Sequence, residues 1–332
     1  MKVCLFGCKS TTLLLARNVQ KLLGIDTIVT IAADKAERAQ VADYHDIAPW
    51  CADHNVTLRY AARYDQKDAA DHAFFEEQGF DVGFVAGWQR LVPTEILRSF
   101  SVGVFGMHGS AADLPIGRGR SPMNWSLIEG RKAFYTNMFK YDPGVDDGDI
   151  LDTLAFSISD QDTAETLHYK NTLSMIGLIK RNLAHFQNGT LSYTPQKDLE
   201  PTYYPKRTPD DSLIDWTSPV DVIERFIRAV APPFNGAFTY AGAHKVSILR
   251  AAIFELDTVP LGVSADNWGE IAEVLPNGKF LVKVPGGLLI IHDYKAEDGF
   301  TPVPGMMFTD GGLERKTFPT NAYGGYDLPE ST

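Results

Sequence analysis

KVCLFGCKSTTLLLARNVQKLLGIDTIVTIA, Lys2 to Ala32, reads as strand, helix, strand. Lys2 to Phe6 and Thr27 to Ala32 are short, continuously apolar runs, as buried parallel strands tend to be, and Thr11 to Leu23 between them has helical composition. The alternation continues outward. Thr57 to Tyr60, Asp81 to Ala86 (DVGFVA) and Val102 to Met107 (VGVFGM) read as three more buried strands, separated by helical stretches at Ile47 to His54, Asp68 to Gln78 and Thr94 to Ser99. This spacing predicts an α/β fold, a Rossmann-like, doubly wound and mostly parallel sheet. The first turn reads GCKSTT and not G-x-G-x-x-G, so the dinucleotide fingerprint is absent. An open parallel sheet still places its site beyond the carboxyl ends of its strands, and VGVFGM leads straight into the densest motif of the chain.

Further on, Phe134 to Phe139 and Ile150 to Ile158 read as strands. Thr163 to Gln187 reads as one long helix, with Leu167, Leu173, Ile176, Leu183 and Phe186 apolar and Asn188-Gly189 at its end. The expected catalytic domain therefore covers residues 1–200. LEPTYYPKRTPDD, Leu199 to Asp211, has linker composition, and a helix from Pro219 to Ala231 breaks at Pro232-Pro233. From Gly236 the segments AFTYAG, KVSILRAAIF, EIAEVL, FLVKV and LLIIHDY alternate with Gly and Pro turns, which predicts a smaller OB-like β-barrel over 201–310. Residues 311–332 are turn-rich and read as a tail or surface strap.

Composition narrows the function classes. The chain has 332 residues, 44% hydrophobic and 22% charged, which excludes extensive disorder and suits two domains. With 31 Lys and Arg against 42 Asp and Glu, the net charge is -11 and no short window is strongly basic, so a nucleic-acid partner is disfavoured. A small anion needs only a local Arg or a helix N-terminus and stays compatible. Three cysteines, Cys4, Cys8 and Cys51, cannot build a disulfide framework. No apolar run reaches the roughly 20 residues of a membrane span and no signal peptide is evident, so a cytoplasmic location without membrane contact is expected.

Phe105 to Leu151 reads FGMHGSAADLPIGRGRSPMNWSLIEGRKAFYTNMFKYDPGVDDGDIL. It carries His108 and Ser110, then Leu114-Pro115, then Arg118-Gly119 with Pro122 and Trp125, then Asp146 with Gly148-Asp149. These four ordered blocks resemble the 10-formyltetrahydrofolate-dependent formyltransferases, whose pattern is N-x-H-x-S, LP, RG-x-x-P-x-x-W and D-x-G-D. DSLIDW (Asp211 to Trp216) and IRAVAPPFNGAFTY (Ile227 to Tyr240) extend the resemblance over about residues 1–300. Within that family SPMNW and KRTPDDSLIDW look closest to enzymes acting on nucleotide-linked amino sugars, of the aminoarabinose type, with methionyl-tRNA formyltransferase as the rival. The resemblance implies 10-formyltetrahydrofolate as donor and a primary amine on a small molecule as acceptor, and the residues themselves lead to the expectation of no metal. A homo-oligomer is compatible with it.

Formyl transfer to an amine needs a base, a donor to the developing oxyanion and a proton for the departing nitrogen. His108 can serve as base and acid, with its tautomer fixed by a carboxylate. Asp146 is the candidate partner and Asp149 the second choice. The resemblance places Trp88, Gln89, Arg90 and Leu91, with Asp147, Gly148 and Asp149, on the folate, and Ser110, Arg118 and Gly119 on the acceptor. One departure stands out. The family's oxyanion-donating Asn, two residues before the His, is Gly106 here, and the loop after His108 is two residues longer. Asn124 is the candidate replacement, with an exposed backbone N–H as the alternative. A member that binds folate or a sugar nucleotide without turnover is the third reading. Removing such a donor typically costs about 100-fold to 1000-fold in rate.

Structural alternatives stand beside these. Arg118 and Arg120 fit a solvated turn as well as an anion contact. VDDGD could be an acidic turn or a fragment of a calcium loop, although the full calcium spacing and closing Glu are missing. Cys4 and Cys8 have no companions for a metal. Trp88 is either core or cleft wall, and His168 and His292 have no partner pattern.

Overall fold

The computed structural model describes residues 1–255, 267–296, 299–320 and 325–326. The expected first strands are present as β1 (Val3–Phe6), β2 (Thr27–Thr30), β3 (Thr57–Tyr60), β4 (Val82–Val85) and β5 (Gly103–Ser110). Between them lie α1 (Ser10–Leu22), α2 (Ala33–Arg38), α3 (Ala48–Asp53), α4 (Ala69–Gln78) and α5 (Thr94–Arg98). A two-residue strand β6 (Arg118–Gly119) and helix α6 (Pro122–Ile128) follow, then β7 (Ala133–Lys140) and β8 (Ile150–Ser157). The seven-stranded sheet has the order β3-β2-β1-β4-β5-β7-β8. Its first five strands are mutually parallel, and β7 and β8 are antiparallel additions.

Both faces of this sheet are covered, which is why its strands read as continuous apolar runs. Successive side chains point to opposite faces. Val3 and Leu5 accordingly enter one cluster with Leu15, Val19 and Met175, whereas Cys4 and Phe6 enter another with Phe75, Phe80 and Phe100. The outer strand β3 differs from the expectation of burial, because it is an edge and its residues are half-buried or exposed. The helices start and stop on local signals. Asp68 caps α4 by accepting from the Ala70 N–H, and Gly79 ends it with a left-handed φ of 59°.

The expected long helix is two helices, α7 (Ala164–Arg181) and α8 (Leu183–Asn188), broken at Asn182. Asn182 donates from its side-chain amide to Asp152 Oδ2 at 2.7 Å and to the Leu178 carbonyl at 3.0 Å. The apolar period runs through the break, so it gave no sign of it. Strand β9 (Tyr203–Tyr204) pairs with β6, a short ladder that the linker composition of this stretch did not suggest. Helix α9 (Val220–Val230) then packs against a second sheet. That sheet comprises β10 (Ala237–Ala241), β11 (His244–Phe254), β12 (Ile271–Val274), β13 (Phe280–Val284), β14 (Gly287–Ala296) and β15 (Phe308–Thr309). It is a curled antiparallel half-barrel with the order β12-β13-β14-β11-β10-β15. A bridge between Glu270 and Met307 draws its two edges together around Trp216, Ile227, Val246, Phe280 and Ile291. The tail straps back over α6. Phe318 and Tyr326 rest on Trp125 at 4.9 and 4.4 Å between ring centres, and residues 321–324 and 327–332 lie outside the described residues.

Candidate active site

Strand β5 runs four residues past Gly106, its last residue paired with the parallel neighbour β4, and so carries His108 beyond that neighbour's carboxyl end. His108 shares a face with Val104 and Gly106 and is 6% exposed. Its Nδ1 lies 3.2 Å from Asp146 Oδ2, and its Nε2 lies 2.7 Å from the Gly117 carbonyl oxygen. The expected pairing with Asp146 is thus present in the geometry. Each ring nitrogen faces an acceptor, and a neutral imidazole has one N–H to offer, so in the neutral form only one of the two contacts is an N–H donation.

Asp146 is fixed from several sides. It takes a left-handed φ of 51°, and the Gly119 N–H donates to its Oδ2 at 3.1 Å. Gln196 Nε2 donates to the carbonyls of Asp146 and Gly148 at 2.7 and 3.0 Å, while Gln196 Oε1 accepts from Arg118 at 2.7 Å. Gly148 lies against the end of β7, where a Cβ would sit 1.8 Å from the Lys140 carbonyl oxygen. The acidic loop therefore requires a residue without a side chain at that point.

The other expected residues divide into two groups. Ser110 donates to the Ile116 carbonyl at 2.7 Å, and the Gly117 N–H donates to Thr202 Oγ1 at 2.8 Å, so Ser110 holds the lengthened loop that delivers Gly117 to the imidazole. Gly119 holds the Asp146 carboxylate directly, and Arg118 reaches Asp146 only through Gln196. Trp88, at the end of β4, is buried edge-on against Tyr64 at 4.9 Å, and among the described residues its indole N–H has no partner. The Gln89 N–H donates to the Tyr64 hydroxyl at 3.2 Å, Arg90 lies over the Tyr64 ring at 4.7 Å, and Leu91 is 58% exposed. Asp147 and Asp149 are exposed.

Asn124 must be reassigned. It is buried on α6, and its amide donates to the Ala229 carbonyl at 2.6 Å in the last turn of α9. A side-chain donor committed to the neighbouring helix is not directed at a reacting carbonyl, so the expectation of an oxyanion role for Asn124 is corrected. Two contributors escaped the sequence. Asn137, directly across from His108 on β7, accepts from Thr153 Oγ1 at 2.9 Å and reaches the His108 carbonyl at 3.5 Å, and Gln196 braces the acidic loop. Both act across long sequence separations, where only strand pairing or the fold brings the partners together.

Lys9 and Arg90 stand beyond the carboxyl ends of β1 and β4, and Arg120, just after β6, is close enough for their charges to act on one another. Burial lowers the Lys9 pKa, with Arg120 adding to it, and burial and then Arg90 lower that of Arg120. None of the three has a carboxylate within 4 Å among the described residues, whereas Arg181, Arg225 and Arg228 each do. No group of three or more His, Cys, Asp or Glu could hold a metal ion among the described residues.

The chain thus combines a doubly wound sheet, ending in a carboxylate-braced histidine, with a curled β half-barrel. The family description "Formyl transferase" matches residues 5–174 and "Formyl transferase, C-terminal domain" matches residues 206–312, so the chain belongs to the formyl transferase family. Solved structures share the fold. An N-formyltransferase from Helicobacter canadensis, in complex with folinic acid and dTDP-3-aminofucose, is 15% identical with a TM-score of 0.61, over 89% of this chain and 100% of that one. The sugar 3N-formyl transferase WlaRD, with dTDP and 5-N-formyl-THF, is 16% identical with a TM-score of 0.61, over 90% and 99%. HypX from Aquifex aeolicus with tetrahydrofolic acid is 15% identical with a TM-score of 0.63, over 94% of this chain and 46% of that one.

Proposed function

We propose that this formyltransferase moves the formyl group of 10-formyltetrahydrofolate to a primary amine of a nucleotide-linked amino sugar. The observation that carries the reading is the His108–Asp146 pair at 3.2 Å, set at the end of β5 in the part of the chain that matches the family. The folate here is a substrate, consumed one for one. The unpartnered Trp88 indole N–H and the open Leu91 segment suit a flat, polar-edged ring at the end of β4. His108 would take the proton released as the amine nitrogen bonds to the formyl carbon and return it to the folate nitrogen that leaves, and Asp146 would keep Nδ1 engaged so that Nε2 faces the reactants. Lys9, Arg90 and Arg120, none of which has a carboxylate within 4 Å among the described residues although the Asp43 charge acts on Lys9, suit the phosphates of a sugar nucleotide on an otherwise acidic protein. The relatives crystallised with dTDP and dTDP-3-aminofucose support the same acceptor class.

A second reading has one observation in its favour. The Gly117 carbonyl already engages His108 Nε2, which suits a member that binds without transferring. Tetrahydrofolate release, followed with a panel of dTDP- and UDP-linked amino sugars and with methionyl-tRNA, separates the readings. Release with a sugar nucleotide and not with tRNA is expected. Release with methionyl-tRNA alone, collapsing steeply with salt, would favour the tRNA enzyme. No release with any amine would favour the binder.

A further inference from the structure

Gly106 occupies the position where the family pattern has an amide, and the space above it is filled. A Cβ built on Gly106 would lie 2.1 Å from Tyr141 Cε1, 2.3 Å from Cζ and 2.3 Å from Oη. The phenol of Tyr141, arriving from the residue after β7, therefore sits where a side chain of residue 106 would begin. Its backbone is pinned there by the Tyr141 N–H donating to the Val104 carbonyl at 2.8 Å, and its ring stacks on Phe139 at 5.3 Å. Among the described residues the Tyr141 hydroxyl has no hydrogen-bond partner, and the side chain is half-buried.

We propose that the Tyr141 hydroxyl is the oxyanion donor of this enzyme, and that Gly106 is glycine because the phenol needs its space. The inference rests on the formyl-transfer reading. Residues two apart on a strand stand about 6.6 Å from one another on one face, which leaves room for a formyl carbon between His108 and a hydroxyl above Gly106. As the amine nitrogen bonds to that carbon, the carbonyl electron pair moves onto oxygen, and the Tyr141 O–H donates a hydrogen bond to it. When the carbon–nitrogen bond to folate breaks, the pair returns, the folate nitrogen takes the proton carried by His108, and Tyr141 keeps its own throughout. Burial and the nearby Asp146 charge raise the Tyr141 pKa, which keeps the phenol a donor at neutral pH.

The test compares wild type with Tyr141→Phe, Tyr141→Ala and the double variant Gly106→Asn with Tyr141→Ala, using tetrahydrofolate release with the best sugar nucleotide. Tyr141→Phe keeps the ring in place and should lower kcat by about 100-fold or more with KM and the thermal midpoint nearly unchanged. The double variant, which returns an amide to residue 106 and clears room for it, should exceed Tyr141→Ala by about tenfold. If wild type transfers formyl and Tyr141→Phe keeps kcat within about threefold, the assignment of Tyr141 is overturned while formyl transfer stands. If wild type releases no tetrahydrofolate with any amine, the functional reading itself fails and takes this role with it.

Discussion

Two carboxamide or carboxylate residues close to the cleft should respond oppositely to substitution. Asp146 accepts from Gly119 and faces His108 Nδ1 with the same oxygen, in a left-handed backbone conformation that asparagine also tolerates. Asp146→Asn should therefore fold normally yet offer an N–H where the imidazole needs an acceptor, lowering kcat by about 100-fold or more. Steady-state rates beside a thermal melt check this, and near wild-type turnover would remove Asp146 from the mechanism. Asn124→Ala should do the reverse. It leaves the buried Ala229 carbonyl without its donor, at a cost of about 1–3 kcal/mol, and should leave kcat within about twofold. The histidine and its carboxylate were legible because both sit in dense local motifs. The direction of the Asn124 side chain was not, since α6 starts beside the cleft but turns that face toward α9.

At the scale of elements, the acidic loop and β7 form one unit joined at Gly148. A Cβ there meets the Lys140 carbonyl at 1.8 Å, so Gly148→Ala must push the loop off the strand and carry Asp146 with it. Activity should fall by about tenfold or more because small displacements of catalytic groups are costly, and Asp146→Asn in the same background should then cost much less than it does alone. Equal losses in the two backgrounds would show that the loop does not deliver Asp146. The alternation of apolar runs located β1, β2, β4, β5 and β7 because buried strands carry that pattern inside themselves, and it located β3 and β8 although neither edge strand has a buried residue. The exposed character of β3 and the break after α7 depend on neighbours far along the chain. Gln196 is invisible for the same reason, since its contacts with Asp146 and Gly148 cross about fifty residues of intervening sequence.

The two halves of the molecule meet along α6, α7 and α9, and His168 reports on that junction. It lies on α7 beside Phe234, which follows α9, at 6.3 Å between rings, and it lines a small cavity with Lys9, Asp43, Glu165 and Pro233. Burial pushes its imidazole down to about 4, and the Lys9 charge adds to the effect. In the unfolded chain the same group titrates near 6.5. Between these values the unfolded chain binds a proton that the folded chain refuses, so the contribution is present above about pH 6.5 and is lost as pH falls toward 4. The loss amounts to no more than about 3 kcal/mol. His168→Gln removes the titration while keeping a polar side chain of similar reach. The stability difference between wild type and variant, from urea unfolding at pH 7.5 and pH 5, should shift by about 2 kcal/mol in favour of the variant on acidification. Glu165 and Asp43 face the same cavity and are unchanged in both proteins, so their titration largely cancels in the difference. Parallel pH profiles would mean that water reaches His168 freely, and that the contact between α7 and the segment after α9 is looser than its packing indicates.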